Sequence, residues 1–350
     1  MFAKKIISWY LINKRDLPWR NTNNPYFIWL SEIILQQTRV QQGLPYYEKF
    51  IENFTTVESL AAAEEEEVLR LWQGLGYYSR GRNLHKTAKM VVEQYAGNFP
   101  NNFKDLQKLK GVGKYTAAAI ASFAFNQSVP AIDGNALRVI TRFLEINEPI
   151  DSPVVQNKVF EISKDLMAGV ESNLYNQAVM ELGATVCTPK KPFCIGCPVN
   201  MECKAFENKS FVTIPFKAKK TKVSQRFLQY FVFEFENSLW LRKRDTSDIW
   251  ANMYDFFLIE SNDLDFTENL DQCLSDFAIE VGDILKYPPV NHVLTHQKQQ
   301  IVFIKIRCKT RPIIPNGEWY SLEEIEKLAK PKIIVDFIER LATSNVLLNT

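Results

Sequence analysis

The stretch Leu106-Gln107-Lys108-Leu109-Lys110-Gly111-Val112-Gly113-Lys114-Tyr115-Thr116-Ala117-Ala118-Ala119 holds the turn on which the first domain depends. Apolar residues spaced for a helix over about 103–109 run into two glycines, and an alanine-rich helix follows over 115–126. Gly111 and Gly113 let the backbone turn tightly and approach a partner with no Cβ in the way. The second helix then offers N–H groups that have no intrahelical acceptor, which suits an anion. A helix–hairpin–helix of this kind grips a DNA phosphate and reads no base. A plain turn between two packed helices would use the same glycines, so the hairpin alone does not decide function.

Two carboxyls flank it. Asp133 stands 18 residues beyond Tyr115, in Ile132-Asp133-Gly134-Asn135, just before a helix predicted over 134–146. That is an N-cap position, where the helix dipole keeps a carboxylate ionised. Glu32 is the opposite case. It lies inside Pro25 to Val40, a helix with apolar residues at Phe27, Ile28, Leu30, Ile33, Ile34 and Leu35, too dense for a surface helix. Burial there raises a carboxyl's pKa and leaves it a proton to give near neutrality. The bland alternative is that Glu32 sits on an exposed face. Two carboxyls in unlike environments make an acid and a cation stabiliser, as glycoside cleavage requires.

Downstream, Cys187, Cys194, Cys197 and Cys203 follow C-x6-C-x2-C-x5-C, while Cys273 and Cys308 lie far off and read as core residues. Four thiolates so close suit a tetrahedral metal or an iron–sulfur cluster. The spacing does not pair off as two C-x2-C knuckles, which weakens zinc, yet spacing alone leaves both open. Lys190, Lys191 and Lys204 nearby suit a DNA phosphate or plain solubility.

The remaining chain divides in two. Further helices are predicted over 57–72, 80–95, 153–168 and 173–185, so residues 1–207 read as one helical domain. Lys209 to Arg226 carries six basic residues and no acidic one, with Pro215 in the middle; residues 208–224 read as a solvated linker. From about 225 the period changes. Phe227 to Phe235 and Leu239 to Arg242 are strands about a turn at 236–238, Gln299 to Arg307 is another, and a helix is expected near 267–280. The last helix opens with a capping box, Ser321 with Glu324. Residues 225–350 are thus α+β. A chain of 350 residues accommodates two such cores. Its net charge of +2 neither demands nor excludes nucleic acid. No apolar run approaches the roughly 20 residues that span a bilayer, and Met1 to Tyr10 has no long apolar stretch or small-residue cleavage site, so a signal peptide is not expected there. The expected place is the reducing cytoplasm, at the nucleoid, where clustered cysteines are ligands before they are disulfides.

Together these residues resemble the iron–sulfur branch of the helix-hairpin-helix DNA glycosylases. Within it they resemble the adenine glycosylases of the MutY type. The resemblance rests on Gly111-Val112-Gly113-Lys114-Tyr115-Thr116-Ala117, the run Ser31-Glu32-Ile33-Ile34-Leu35-Gln36-Gln37-Thr38-Arg39-Val40, Leu17-Pro18-Trp19-Arg20, Gly74-Leu75-Gly76-Tyr77-Tyr78-Ser79-Arg80, Asp133-Gly134-Asn135 and the cysteine loop. It covers nearly the whole chain. The implied activity is hydrolysis of adenine, mispaired with 8-oxoguanine or guanine in duplex DNA, from its deoxyribose, by a monomer carrying a [4Fe-4S] cluster on the four cysteines. Glu32 would protonate adenine N7. Asp133 would stabilise the oxocarbenium-like sugar, as an ion pair or through a transient covalent bond. Tyr115 and Asn135 would support that intermediate and the water. Arg20 would line the adenine pocket, Gln37 and Tyr77 would fill or wedge the duplex, and Gly111, Val112 and Gly113 would hold its backbone. The base must leave the stack to be reached.

Endonuclease III-like relatives carry a catalytic lysine where this chain has Tyr115, and a lysine amine is what forms the Schiff base for strand cleavage. The resemblance therefore implies a monofunctional enzyme. The second domain resembles a Nudix-like domain that recognises 8-oxoguanine. Residues 265–285 lack the R-E-x-x-E-E pattern that binds magnesium, so no nucleotide hydrolysis is expected. Its recognition loop would be Leu294-Thr295-His296, with leucine in place of the family's phenylalanine. The rival readings are an endonuclease III-like glycosylase and lyase, which Tyr115 opposes, and an inactive damage-binding scaffold, which the presence of both Glu32 and Asp133 opposes.

Overall fold

A computed structural model describes residues 2–218, 223–246, 249–294 and 296–347; Thr295 falls outside the described residues. The chain forms two compact units, Met1–Ala62 with Asn83–Lys220, and Ala63–Arg82 with Thr221–Thr350. The first is helical: α1 (Phe2–Asn13), α2 (Pro25–Ile34), α3 (Val40–Asn53) and α4 (Val57–Ala62). Between them and the rest comes α5 (Glu65–Trp72), in the second unit, and then α6 (Ser79–Tyr95), whose first residues belong there too. The first unit continues with α7 (Phe103–Leu106), α8 (Lys114–Phe125), α9 (Gly134–Leu144), α10 (Pro153–Met167), α11 (Ser172–Thr185) and α12 (Lys204–Glu207).

α2 starts where its sequence dictates. The Asn24 side chain accepts from the Tyr26 N–H, and Pro25 takes a first-turn position that needs no donor. Ile28, Trp29, Leu30, Ile33 and Ile34 are then all buried, and the helix packs on α8. Ala117, Ala118, Ala119 and Ala121 of α8 are fully buried, and their small side chains allow the close approach. The predicted single helix over 25–40 is interrupted. It ends at Ile34, a turn follows, Gln37 takes φ +56°, and a new helix starts at Val40. The predicted helix over 57–72 is likewise two, α4 and α5. A second cluster joins α1, α9, α10 and α11 through Ile6, Tyr10, Ile140, Val159 and Leu182.

The basic stretch after the cysteines is no free tether as far as Ala218. Ser210 donates to Glu145, Ile150 N–H to the Phe216 carbonyl, and Ala218 N–H to Asp151, all within the first unit.

The second unit is built on β1 (Ser224–Phe235). It is followed by β2 (Ser238–Lys243), β3 (Tyr254–Asp255), β4 (Phe257–Ser261), α13 (Thr267–Asp276), β5 (Val281–Lys286), β6 (Val290–Val293), β7 (Gln297–Cys308), β8 (Glu318–Ser321), α14 (Leu322–Lys327) and α15 (Lys332–Leu347). β1 and β7 run parallel at the centre, in the order β3-β2-β1-β7-β5, with β4 on β1, β6 on β7 and β8 on β2. Both central strands are buried on two faces. On one, Tyr230 stacks on Phe303 and Phe303 on Phe337 of α15, with centroids 5.2 and 4.0 Å apart. On the other, Phe233 meets Phe277, beyond α13, while Cys273 and Cys308 are core residues, as expected. The capping box of Ser321 and Glu324 is present but opens the short α14; the last helix begins at Lys332.

Residues 63–82 join this unit for specific reasons. α5 buries Val68, Leu69, Leu71 and Trp72. Arg82 Nη1 donates to the Ala251 carbonyl at 3.0 Å, Asn252 Nδ2 to Glu65 at 2.8 Å, and the Lys330 N–H to Gln73 at 3.2 Å. No period in the sequence signals such hydrogen bonds between distant segments.

Candidate active site

A cleft of about 1180 Å³ in the first unit is lined by Arg20, Glu32, Gln37, Gly111, Gly113, Tyr115, Asp133 and Asn135. Four elements bring them together: a 3₁₀ turn at Pro18–Arg20, α2, the start of α8 and the start of α9.

Glu32 is 7% exposed, on the buried helix, not on an exposed face. Burial pushes its carboxyl up to about 7, against a hydrogen bond from Tyr115 and the nearby Arg20 cation, while Asp133 pushes the same way as burial. Tyr115 is held well above its ordinary pKa, first by burial and then by the two carboxyls, so its hydroxyl keeps its proton and donates to Glu32.

Asp133 is the N-cap of α9 and accepts from the Ala136 N–H at 2.6 Å. Asn135 Nδ2 adds a second hydrogen bond at 2.8 Å. The helix dipole is not the whole account of this carboxyl: burial raises its pKa, and the hydrogen bonds from Ala136 and Asn135 work against burial. The amide of Asn135 is itself oriented. Arg138 Nη2 donates to its Oδ1 at 2.8 Å, which turns Nδ2 toward Asp133. Arg138 also donates to the carbonyls of Gly183 and Cys187, both at 2.7 Å.

Gly111 takes φ +76° and Gly113 caps α8; both are exposed on the cleft. Val112 behaves differently. Its side chain is 4% exposed and its N–H donates to the Leu109 carbonyl at 3.1 Å, so it holds the hairpin together and offers no donor outward. The helix before the hairpin is also shorter than predicted, ending at Leu106.

Tyr77 and His296 lie in the second unit. Tyr77 is exposed at φ +48°, with Arg80 over its ring at 5.6 Å. His296 is exposed at the tip of the β6–β7 hairpin, which closes between Leu294 and Gln297.

The four cysteines of the loop form no disulfide and are half-buried. Burial pushes the Cys197 thiol up to about 12, and the neighbouring Cys187, Cys203 and Cys194 push the same way. Arg142 holds the loop: it donates to the carbonyls of Thr188 and Pro189 and reaches Cys187 Sγ at 3.4 Å. Among the described residues no three His, Cys, Asp or Glu side chains are arranged to hold a single metal ion. Four cysteine thiols are the residue type that thiolate-bound metal groups use.

Sequence reasoning missed Arg15, Arg138, Arg142 and Glu181, which the structure places around this site. A signal was present: Arg138 and Arg142 sit four apart on α9 among Leu137, Val139 and Ile140, and Glu181 lies between Met180 and Leu182. A charge at an apolar helix position was the cue that picked out Glu32.

Comparison with known proteins bears on the family and the fold. A family profile described as "HhH-GPD superfamily base excision DNA repair protein" matches residues 30–163, and one described as "NUDIX domain" matches 229–340. An adenine DNA glycosylase of Buchnera aphidicola (from Schizaphis graminum) is 30% identical over 97% of this chain and 98% of its own. The chain belongs to the adenine DNA glycosylase family. The human adenine DNA glycosylase is 44% identical over 58% of this chain and 39% of its own length. A solved thermostable thymine-DNA glycosylase superposes with TM-score 0.55 at 29% identity, covering 59% of this chain and 95% of that one. The expected fold class, a helical helix-hairpin-helix domain followed by a Nudix-like domain, is therefore established, and so is DNA glycosylase activity of the adenine type. Among the described residues, no helix of this adenine glycosylase is long and apolar enough to cross a membrane.

Proposed function

We propose that the enzyme hydrolyses the N-glycosidic bond of adenine opposite 8-oxoguanine or guanine in duplex DNA, leaves the strand intact, acts as a monomer and carries a [4Fe-4S] cluster. The observation that carries the reading is the pairing of a buried Glu32, its carboxyl pushed up to about 7, with an Asp133 held by Asn135 and the Ala136 N–H in one cleft.

With the base flipped into this cleft, Glu32 delivers its proton to adenine N7. The C1′–N9 bond then breaks and its electron pair leaves with the neutral base. The cationic sugar forms against the Asp133 carboxylate, and water adds to C1′ and loses a proton. Tyr115 and Asn135 keep the two carboxyls in place. Arg20 faces the base, Gln37 and Tyr77 each fill or wedge the duplex, and Gly111 and Gly113 meet the phosphates. Strand cleavage would need an amine at the sugar. Among the described residues lining the cleft, Lys114 is the one lysine, and its Nζ is turned to Asn157 at 3.2 Å and over the Phe160 ring.

Cys187, Cys194, Cys197 and Cys203 would hold the cluster. When bound, it ties the 187–203 loop into one thiolate-linked unit. The second unit reads 8-oxoguanine through the recognition stretch Leu294-Thr295-His296. α13 carries Glu268, Asp271 and Asp276 without the magnesium-binding pattern, which supports recognition without nucleotide hydrolysis.

Single-turnover base release from duplexes with adenine opposite 8-oxoguanine or guanine, beside a thymine-glycol duplex, tests this. Adenine release from the first two, lost in Glu32→Gln, is expected. Release of thymine glycol with nicking and a borohydride-trapped crosslink would move the enzyme to the lyase arm.

A further inference from the structure

Glu181, on α11, lines the same cleft and has no part in the chemistry above. It is fully buried, and two arginines close on it. Arg15 donates from its backbone N–H at 3.1 Å and from Nε and Nη2 at 2.7 Å each; Arg20 donates from Nη2 at 2.6 Å. Arg20 has little freedom left. Its Nη1 donates to the Arg15 carbonyl at 3.1 Å, and its guanidinium lies over the Tyr10 ring at 5.5 Å. The Tyr10 hydroxyl is fixed in turn on Gln177 at 2.7 Å.

We propose that Glu181 is the positioning residue of the base pocket, holding the Arg20 guanidinium at the base and offsetting the arginine charge that Glu32 feels. The inference rests on the reading of Arg20 as a base-pocket residue and Glu32 as the general acid.

The charge count explains the need. Arg15 and Arg20 bring two cations and Glu181 removes one. The charged and titratable groups facing Glu32 are Tyr115 from α8, Asp133 from the start of α9 and Arg20 from the 3₁₀ turn. Of these, the Tyr115 hydrogen bond and the Arg20 cation favour the ionised Glu32, and Arg20 is the one that carries a charge of opposite sign. Burial alone would push Glu181 up, but its bonds to Arg15 and Arg20 outweigh burial and hold it down at about 2. It is therefore a permanent counter-charge wherever the enzyme works. Without it Arg20 loses its anchor, and its field on Glu32 is no longer offset.

The test is single-turnover adenine release from the 8-oxoguanine duplex as a function of pH, with the full-length protein, for wild type, Glu181→Gln and Arg15→Ala. Glu181→Gln should move the alkaline limb down by about one pH unit. Release near neutrality should then fall about fivefold, approaching tenfold at more alkaline pH, and recover toward the acid end. Arg15→Ala removes a cation instead and should move the limb the other way. A folded Glu181→Gln whose profile superimposes on wild type overturns the proposal, as do shifts of the same sign in both variants. Should Glu181→Gln fail to fold, the sign of the Arg15→Ala shift decides. A wild type with no adenine release, or a Glu32→Gln that keeps it, would sink the underlying reading instead, and neither result involves Glu181.

Discussion

Arg138 donates from Nε to the carbonyl oxygen of Cys187 at 2.7 Å, and the same guanidinium holds Asn135 from Nη2 at 2.8 Å. One side chain thus spans the first cysteine of the loop and the amide that serves Asp133. Arg138 is itself 8% exposed, so its partners have little water to turn to. Arg138→Ala should cost about 3 kcal/mol, through the buried carbonyl of Gly183 and the half-buried carbonyl of Cys187 left without a donor. Base release and cluster retention should fall together, read by single-turnover kinetics and by iron content per protein. Full activity at reduced iron content would show that the two ends are not coupled.

Glu32 sets opposite demands on activity and stability. Its folded pKa of about 7 lies above the ordinary 4.5, so folding binds a proton more tightly between those values. Its contribution is complete below the unfolded pKa and is lost as pH rises through the folded one. Base release should therefore fall as pH rises through about 7. Glu32→Gln should be inactive, yet more stable than wild type by about 3 kcal/mol at alkaline pH, with the gain vanishing in acid. Denaturant titrations at two pH values measure it, and equal stability at both would contradict the burial argument.

Gly111 admits no side chain. Its φ is +76°, and an added Cβ would lie 2.9 Å from the Cβ of Asn83. Gly111→Ala should weaken duplex binding at least tenfold, the equivalent of about 1.4 kcal/mol, by reshaping the hairpin. The effect should be equal for damaged and undamaged duplexes, because a phosphate contact reads no sequence. A loss confined to the 8-oxoguanine duplex would place the hairpin in lesion recognition instead.

Gly183 backs the catalytic amide at close range. A Cβ there would meet the Asn135 Cβ at 2.6 Å and its carbonyl oxygen at 2.9 Å. Gly183→Ala should displace Asn135 and slow base release by at least tenfold, with substrate binding little changed. A weaker Kd with an unchanged rate would show that Asn135 serves binding alone.

Cys194→Ser should lower thermal stability and DNA affinity together, if the cluster's part is to hold the 187–203 loop. Unchanged folding and binding with lost base release would point to redox chemistry instead. Visible absorbance of the purified protein separates an iron–sulfur cluster from zinc, whose thiolate sites lack such a band.

The helices of the first unit and the central strands of the second were legible because burial on a regular element leaves a period in the sequence. Glu32 stood out as a charge in an apolar run, and Asp133 as a cap before a helix. The breaks at Leu35–Arg39 and Ala63–Glu64 were not legible. Both sit inside continuous helical patterns, and the left-handed turn at Gln37 uses a residue with no special preference for it.

By itself the sequence determined which residue types could meet: a hairpin for phosphate, a buried acid, a capped carboxylate, four thiols and no lysine at position 115. Tertiary structure alone decided how they are held. Glu181 lies 161 residues from Arg20, Arg138 lies 49 from Cys187, and Asn252 lies 187 from Glu65. A local pattern records the face a residue buries but not the distant group it finds there. The ionisation state of the site depends on those distant groups, because charge acts through space and not along the chain.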